Sequence, residues 1–400
     1  MTSFKIVDTR HPTRWVAFKQ TYTIWSEPLG TIVASTIGNA STSARSQYPA
    51  GSLEAQVVAE TAKQYAVTKW LNLHLHAHFG LQITRHNSLP GIAIRLYRRT
   101  YMPAGTHFPT GLVPLFKMFK EVAYKGGLVH APHPHRLFKV VYAYDMTSMY
   151  PSQIKSFPMP GGNPVWVDQV PPLNNSLCFG WVEAIARAPK GILPCLLPLQ
   201  RQGSKIDDGP NINICVSHLQ PCAGLFFTEE LKAALAAGYE VQVFGGYLFE
   251  RVEGAFTNFV DDLAQKRHRH KVQGEVALAT MTKQLLNGLY GRFGLAADYP
   301  TAELLNYGDK KIAKADDGDV KPLALDVTGT PEGALVYNKQ GPSGHDSIVP
   351  SSSLPVAIAT TCYARIAIAP FKNLPGNPLI YSDTDSVILE HPLAPDLAAK

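Results

Sequence analysis

The sequence lacks the features that mark several classes of protein. Its five cysteines form no CxxC pair, which argues against a zinc ribbon or a disulfide-stapled secreted domain and favours a reducing compartment. No run of about 18 or more apolar residues occurs, so we expect no membrane span. There is no low-complexity tract and no internal repeat. With 400 residues, the chain is long enough for two or three structural modules.

Acidic residues are scarce in the first third of the chain. Residues 1–144 contain 16 Lys and Arg against 5 Asp and Glu, whereas the remainder contains 21 against 26. A basic region beside an acidic remainder predicts a polyanionic partner, although extra lysines on a solvated surface explain the same imbalance.

The N-terminal segment is also poor in acids. Its basic residues stand among Ser and Thr and weakly resemble a mitochondrial transit peptide: Lys5, Arg10, Arg14 and Lys19. Pro12 and the lack of a clear amphipathic face argue against that interpretation, and no secretory signal is present. The sequence therefore leaves the compartment undetermined.

Periodicity predicts an α+β fold with a mainly antiparallel sheet. The predicted helices cover residues 53–79, 92–101, 228–237, two paired segments between 254 and 290, and 354–371. The predicted strands are a buried strand at 139–144, shorter strands at 165–167, 180–184 and 239–244, and a strand–turn–strand at 378–389. Residues 157–164 predict a turn cluster and residues 299–348 an exposed insertion.

Apolar residues flank both sides of the segment Tyr381-Ser-Asp-Thr-Asp-Ser386. This pattern predicts a hairpin with Asp383 and Asp385 at its tip. Paired carboxylates on a rigid turn repel each other unless a cation neutralises them, and hard oxygen ligands select Mg²⁺ or Mn²⁺. The alternative interpretation is an Asp-rich surface turn.

A further carboxylate stands in the segment Asp145-Met-Thr-Ser-Met-Tyr-Pro-Ser152. The apolar run before it predicts a strand that ends at Asp145. One carboxylate at a strand end beside a hairpin with two is the arrangement of a two-metal phosphoryl-transfer site, with the metals about 3.5–4 Å apart. Taken alone, Asp145 could equally be a helix N-cap.

The segment KQLLNGLYG at 283–291 lies in a predicted helix. Positions i, i+4 and i+7 share one helix face, so Lys283, Asn287 and Tyr290 align. A lysine there can neutralise triphosphate charge, while Tyr290 and Gly291 allow a flat base pair to approach. The preceding predicted helix adds two donors suited to phosphate oxygens, Lys266 and Arg267. A solvated basic face is the ordinary explanation for such residues taken singly.

These segments resemble motifs A (DxxSLYPS), B (KxxxNSxYG) and C (YxDTDS) of family B DNA polymerases, and they occur in the same order. The similarity covers roughly residues 85–400. Tyr124-Lys-Gly-Gly127 resembles the YxGG element of the protein-primed group, such as the polymerases of linear plasmids and certain phages. The long stretches between the motifs resemble the terminal-protein insertions of that group.

The resemblance implies a polymerase palm, an antiparallel sheet with packing helices, plus two-helix fingers and insertions. The expected division is a remnant of an exonuclease-like domain (1–115), palm (116–164 and 349–400), a first insertion (165–250), fingers (251–297) and a second insertion (298–348).

The implied activity is template-directed transfer of dNMP to a primer hydroxyl, with two Mg²⁺ ions or Mn²⁺ in their place. The implied catalytic carboxylates are Asp145, Asp383 and Asp385, with Asp145 and Asp385 as the metal ligands. The implied dNTP-binding residues are Ser148, Met149, Tyr150 (the steric gate against ribonucleotides), Arg267, Lys283 and Asn287. The implied DNA-binding residues are Tyr124, Gly126, Gly127, Tyr290 and Gly291. The partners would be primer–template DNA, dNTPs and a terminal protein that receives the first nucleotide, with no membrane.

Several features depart from the family pattern. Gly288 and Met149 replace the usual Ser and Leu. The first 144 residues contain one aspartate, four glutamates and no DxE, so we expect no 3′–5′ exonuclease site. The chain ends fifteen residues after Asp385, so we expect no thumb. A second hypothesis is therefore a catalytically impaired fragment that binds nucleic acid. An RNA-templated polymerase is disfavoured because reverse transcriptases carry YxDD.

Two histidine clusters have the residue type of a metal site, LHLHAH (His74, His76, His78) and HAPHPH (His130, His133, His135). Three histidines at i, i+2 and i+4 of a helix cannot share one face. We therefore expect no metal there.

Overall fold

The computed structural model describes residues 53–81, 89–110, 115, 118–132, 136–191, 196–201, 212–216, 218–294, 301–306, 320–323, 334–339 and 352–398. Its helices are α1 (Leu53–Phe79), α2 (Leu89–Leu96), α3 (Met149–Ser156), α4 (Thr228–Ala236), α5 (Thr257–Val272), α6 (Val276–Phe293), α7 (Leu354–Lys372) and α8 (Pro395–Ala398). Short π-helical turns lie at Tyr97–Tyr101 and Phe119–Ala123.

The strands are β1 (Val129–His130), β2 (Tyr142–Asp145), β3 (Met159–Val167), β4 (Gly180–Arg187), β5 (Pro198–Arg201), β6 (Ile212–Cys215), β7 (Cys222–Phe227), β8 (Glu240–Val252), β9 (Thr301–Asn306), β10 (Val320–Leu323), β11 (Ala334–Lys339), β12 (Leu379–Asp383) and β13 (Ser386–Leu389). The mixed α+β class predicted from the sequence is confirmed. All the strand pairings in these sheets are antiparallel.

The chain forms two compact units, residues 1–100 with 261–349, and residues 101–260 with 350–400. The second unit thus contains both segments expected to form the palm and the first expected insertion. The segment that resembles a transit peptide lies outside the described residues, as do His133 and His135.

In the first unit, α2 packs against α6. Gly288 of α6 faces Pro90, and a Cβ added to this glycine would lie 3.3 Å from the Pro90 Cα. The glycine that replaces the usual serine therefore allows two helices to approach closely. The region 299–348, expected only as an exposed insertion, contributes a three-stranded sheet in the order β10-β11-β9.

The second unit contains a four-stranded sheet in the order β1-β12-β13-β2. Helices α3 and α7 pack together beside it. The shared core consists of buried apolar residues from both helices and two of the strands: Met149, Ala364, Ile368, Leu379, Val387 and Leu389.

A second four-stranded sheet, β3-β8-β4-β7, lies in the same unit with α4. Its core is aromatic. Trp181 is 1% exposed and stacks on Phe227 with ring centroids 4.8 Å apart. Phe119 and Phe249 meet the same indole edge-on at 5.1 and 5.3 Å. Such pairs add to the free energy of burial.

Several sequence predictions are confirmed by these bounds. Helix α1 has the predicted ends, and α7 extends one residue beyond its predicted end. The strand–turn–strand is the β12–β13 hairpin. Helix α4 is followed by Gly238 at φ +86°, a left-handed conformation that glycine adopts readily after a helix.

Three predictions are wrong in detail. The strand predicted as buried at 139–144 is β2, an edge strand, and Val140 before it is 64% exposed. Its β-branched composition does not distinguish an edge from a central strand. The helix predicted at 92–101 starts at Leu89 and gives way to a π-helical turn after Leu96.

The turn cluster predicted at 157–164 mostly belongs to β3. Pairing with β8 overrides the Pro and Gly signals, and the register shifts between Gly161 and Val165. Gly162 absorbs the irregularity at φ +63°. Glycine here marks a strand irregularity, not a chain reversal.

Helix α7 is long and apolar enough, by length and composition, to cross a membrane. However, 72% of that stretch is buried inside the protein, and Arg365 lies within it. Those features are typical of a core helix.

We predict that Trp181→Ala lowers the free energy of unfolding by about 3–5 kcal/mol, because it removes the centre of the aromatic core and leaves a cavity. Thermal or urea unfolding measures the change. Leu177→Ala, at a side chain that is 72% exposed, is the control and should change stability by less than about 0.5 kcal/mol. Equal effects of the two variants would contradict this account of the core.

Candidate active site

The β12–β13 hairpin closes through a two-residue turn, Thr384-Asp385, between the paired residues Asp383 and Ser386. Thr384 has φ +53°, an uncommon conformation for a β-branched residue. Its hydroxyl donates to Asp383 Oδ1 at 3.0 Å, and the Ser386 hydroxyl donates to the Asp383 carbonyl at 3.1 Å. These bonds fix the tip of the hairpin in one conformation.

Strand β2 brings the third carboxylate to the same end of the sheet. Ser386 pairs with Asp383 on one side and with Asp145 on the other. The backbone N–H of Met146 donates to the Asp385 carbonyl at 2.8 Å. Adjacent strands lie about 4.8 Å apart, so three consecutive strands gather these residues although more than 200 positions separate Asp145 from Asp383 in the chain.

The carboxylates affect one another electrostatically. Burial raises the pKa of Asp385, and the nearby charge of Asp145 raises it further, followed by a smaller contribution from Asp383. Asp145 is thus the more strongly coupled partner of Asp385. Repulsion of this kind is relieved by a cation, and the oxygen donors are those that Mg²⁺ or Mn²⁺ prefers.

In the described part of the chain, no three His, Cys, Asp or Glu side chains are gathered closely enough to hold a metal ion. The backbone register that brings Asp145, Asp383 and Asp385 to one end of the sheet, together with their oxygen donors, fits a site for Mg²⁺ or Mn²⁺.

The segment after β2 begins α3 within four residues. Ser148 precedes the helix at φ +53°, and the backbone amides of the first helical turn have no intrahelical acceptor. Met149 is 2% exposed and belongs to the core, so only its backbone is available to a ligand. Tyr150 is half-buried and lies near Arg365.

The loop 124–127 reaches the hairpin directly. A Cβ added to Gly127 would lie 2.6 Å from Thr384 Cγ2, so glycine is required for this contact. The Thr384 N–H donates to the Leu128 carbonyl at 3.4 Å. Gly126 is exposed with open space around its Cα, and burial raises the pKa of Tyr124.

The remaining predicted residues lie in the first unit. Lys283 and Asn287 are exposed and Tyr290 is half-buried on α6, while Leu285, Leu286 and Leu289 face its core. The predicted alignment on one face is confirmed. Gly291 is exposed, and a Cβ added to it would meet no side chain within 4 Å. Arg267 on α5 is partly exposed. Lys266, by contrast, binds Asp262 at 2.7 Å and lies over the Phe79 ring.

Residues 55–326 match the family of DNA polymerases of type B, organellar and viral. The chain belongs to this family.

Its curated relatives are longer proteins. A "Probable DNA polymerase" of Podospora anserina is 27% identical over 356 residues, covering 82% of this chain and 27% of the relative. One from Agaricus bitorquis is 27% identical over 350 residues, covering 80% of this chain and 42% of the relative. The chain therefore spans roughly a quarter to two fifths of these relatives.

Solved polymerases share the fold. Phi29 DNA polymerase in an orthorhombic crystal form matches with a TM-score of 0.60 at 18% identity, covering 88% of this chain and 56% of that one. The Phi29 complex with primer-template DNA and incoming nucleotide substrates matches equally well. At this identity the match establishes the fold.

Sequence reasoning missed the buried charges of this member of the type B family. Arg365 and Glu230 form an ion pair at 2.8 Å, each with a side chain 4% exposed. Lys125 and Lys372 are also buried. A single arginine in the apolar run 354–371 was the available signal, because a buried charge needs a partner.

Histidines from the first cluster lie near the joint of α5 and α6. His78 meets His270 at 5.4 Å between ring centroids, and His270 Nδ1 lies 2.6 Å from a Glu275 oxygen. These side chains do not form a metal group among the described residues.

We predict that Asp385→Asn stabilises the metal-free protein at pH 7. Folding raises the pKa of Asp385, so the ionised carboxylate destabilises the folded state at pH values above that pKa. This destabilisation disappears as the pH falls below the ordinary pKa of 3.8. The gain should stay below about 1 kcal/mol, because the group is largely solvated, and should vanish near pH 3. Thermal unfolding across pH measures it.

Asp168→Asn is the matched control, since this exposed aspartate already accepts a hydrogen bond from Trp166 Nε1. It should give no such gain. Added Mg²⁺ should raise the unfolding temperature of the wild type and not that of Asp385→Asn. A destabilised Asp385→Asn at pH 7 without metal would refute the repulsion.

Proposed function

We propose that this chain is a DNA-directed DNA polymerase that transfers dNMP to a primer hydroxyl by a two-metal mechanism. The supporting observation is the gathering of Asp145, Asp383 and Asp385 at one end of an antiparallel sheet. Membership of the type B family agrees with it. The curated relatives are named probable DNA polymerases. Assigning that activity to this shorter chain is part of the proposal.

The proposed metal ligands are Asp145 and Asp385, with Asp383 beside them. Their coupling supports this division, because Asp145 raises the pKa of Asp385 more than Asp383 does. Two Mg²⁺ ions bound there would stabilise the attacking and leaving oxygens of an in-line displacement. Asp383 accepts from Thr384 and thereby holds the turn that carries Asp385.

The proposed nucleotide-binding residues lie in the first turn of α3 in the second unit, and at Arg267 and on one face of α6 in the first unit. The backbone amides of Ser148–Tyr150 would donate to triphosphate oxygens, and Tyr150 would exclude a ribose 2′-hydroxyl. Arg267 and Lys283 would neutralise the triphosphate charge, which positioning-based phosphoryl transfer requires. Asn287, Tyr290 and Gly291 would face the nascent base pair.

The proposed partners are primer–template DNA and dNTPs. The solved Phi29 complex contains primer-template DNA and incoming nucleotide substrates. Tyr124, Gly126 and Gly127 would contact the template backbone. The exposure of Gly126 supports this role, whereas Gly127 also has the structural task of accommodating Thr384. Binding should be mainly to phosphates and therefore steeply salt-dependent.

Protein priming is part of the same proposal. It is supported by the resemblance of Tyr124–Gly127 to the YxGG element and by the long segments between the motifs. The first nucleotide would then be joined to a Ser, Thr or Tyr hydroxyl of a terminal protein. A mitochondrial location and a linear-plasmid origin remain predictions from that resemblance.

We expect Asp145→Asn and Asp385→Asn each to lower the rate of primer extension with Mg²⁺ and dNTPs on the order of 10³-fold. Each substitution removes a metal ligand with almost no change in shape. Asp168→Asn is the control and should extend like the wild type. Extension that survives Asp385→Asn would overturn the proposed site. Salt-dependent DNA binding without incorporation, even with Mn²⁺, would favour the impaired fragment instead.

For the nucleotide site, Lys283→Ala should raise the KM for dNTP about tenfold, which corresponds to the loss of one charge-assisted hydrogen bond. Lys271→Ala, an exposed lysine at the end of α5, is the matched control. Steady-state extension at varied dNTP concentration measures both. If the two variants had the same KM, Lys283 would have no role in binding the triphosphate.

A further inference from the structure

Arg365, in the middle of α7, is surrounded by partners from three parts of the second unit. Its Nε donates to Glu230 Oε1 at 2.8 Å. Its Nη1 donates to the carbonyls of Lys125 and Gly126 at 2.6 and 2.9 Å, and its Nη2 to Cys362 Sγ at 3.1 Å. The planar guanidinium thus bridges a carboxylate on α4 and two backbone carbonyls in the loop 124–127.

That loop is in contact with the catalytic turn. Gly127 packs directly against the Thr384 side chain, and the Thr384 N–H bonds to Leu128. Val129, two residues after the loop, pairs with Asp383 in the β1–β12 ladder. A displacement of the carbonyls at 125 and 126 would therefore reach the turn that carries Asp383 and Asp385.

Glu230 is the carboxylate that balances the charges in this cluster. Burial disfavours the charged form of Arg365, but Glu230 reverses this effect and raises the arginine pKa above its ordinary value. Lys125 is 3% exposed, and burial lowers its pKa to about 8 although Glu230 opposes the shift. Without Glu230, two buried cations would face each other, and such an arrangement is strongly unfavourable.

We propose that Glu230 is a positioning residue of the active site. It holds the Arg365 guanidinium in the orientation that binds the Lys125 and Gly126 carbonyls, and this sets the position of Gly127 against the Thr384 turn. Glu230 lies on α4, outside the segments that carry the three motifs. Its catalytic consequence depends on the proposed polymerase function, whereas its structural consequence does not.

Glu230→Gln tests the proposal because it removes the charge and keeps the shape. Hydrogen–deuterium exchange should rise about tenfold in peptides covering 124–128 and 383–386, as expected for the loss of a charge-assisted bond. In primer extension, kcat should fall by a similar factor, while the KM for dNTP should change little.

Leu231→Ala is the matched control for loss of stability. Leu231 is the next residue on α4, is fully buried and belongs to the core of the β3-β8-β4-β7 sheet. It should destabilise the chain without a local rise in exchange at 124–128 or 383–386. Unchanged exchange in Glu230→Gln, or an equal local rise in both variants, would overturn the proposal.

Two further provisions keep the experiment conclusive: an alternative variant, and a measurement that does not depend on primer extension. If Glu230→Gln does not fold, Glu230→Asp, whose carboxylate is one methylene further from Arg365, takes its place in the same comparison. If the wild type does not extend primers, the proposed function fails. The exchange measurement then still decides whether Glu230 positions the turn.

Discussion

Repulsion between carboxylates is the constraint on which the candidate site depends. Asp145 and Asp383 both raise the pKa of Asp385, so the folded chain holds together groups that would separate if they were free. The backbone supplies the restraint. Strands β12, β13 and β2 fix the three residues through main-chain hydrogen bonds, which are independent of side-chain charge.

Local strain accompanies this restraint. Among the described residues, the non-glycine residues with positive φ are Ser148 and Thr384. Ser148 lies three residues after Asp145 at the end of β2, and Thr384 lies in the turn between β12 and β13. Such conformations cost on the order of 1–3 kcal/mol each and persist only where the surroundings enforce them. At Thr384, the enforcing contacts are the hydroxyl bond to Asp383 and the close packing of Gly127.

Buried charges in the core of the second unit also depend on partners that the fold supplies. Arg365 donates to the carbonyls of the buried Lys125 and the exposed Gly126, and Glu230 makes the buried arginine tolerable. Losing a charged partner from such a cluster is strongly destabilising, because it leaves an uncompensated buried charge. The sheet carrying α4 is thereby coupled to the sheet carrying the carboxylates within one unit.

The sequence by itself determined the local features: the ends of α1, the ends of α4 and α7 to within one residue, the β12–β13 hairpin with its two aspartates, and the shared face of Lys283, Asn287 and Tyr290. Each follows from periodicity or from turn chemistry within a short window. The resemblance to family B polymerases likewise rested on short ordered motifs, and the family match agrees with it.

Tertiary structure alone decided that residues 139–144 give an exposed edge strand, that Gly161 and Gly162 lie within β3, and that Glu230, Arg365 and Lys125 form one buried cluster. Charge pairing joins Arg365 to Glu230 and to the Lys125 carbonyl, 135 and 240 positions away. No local pattern of apolar and polar residues records which distant partner a side chain will meet.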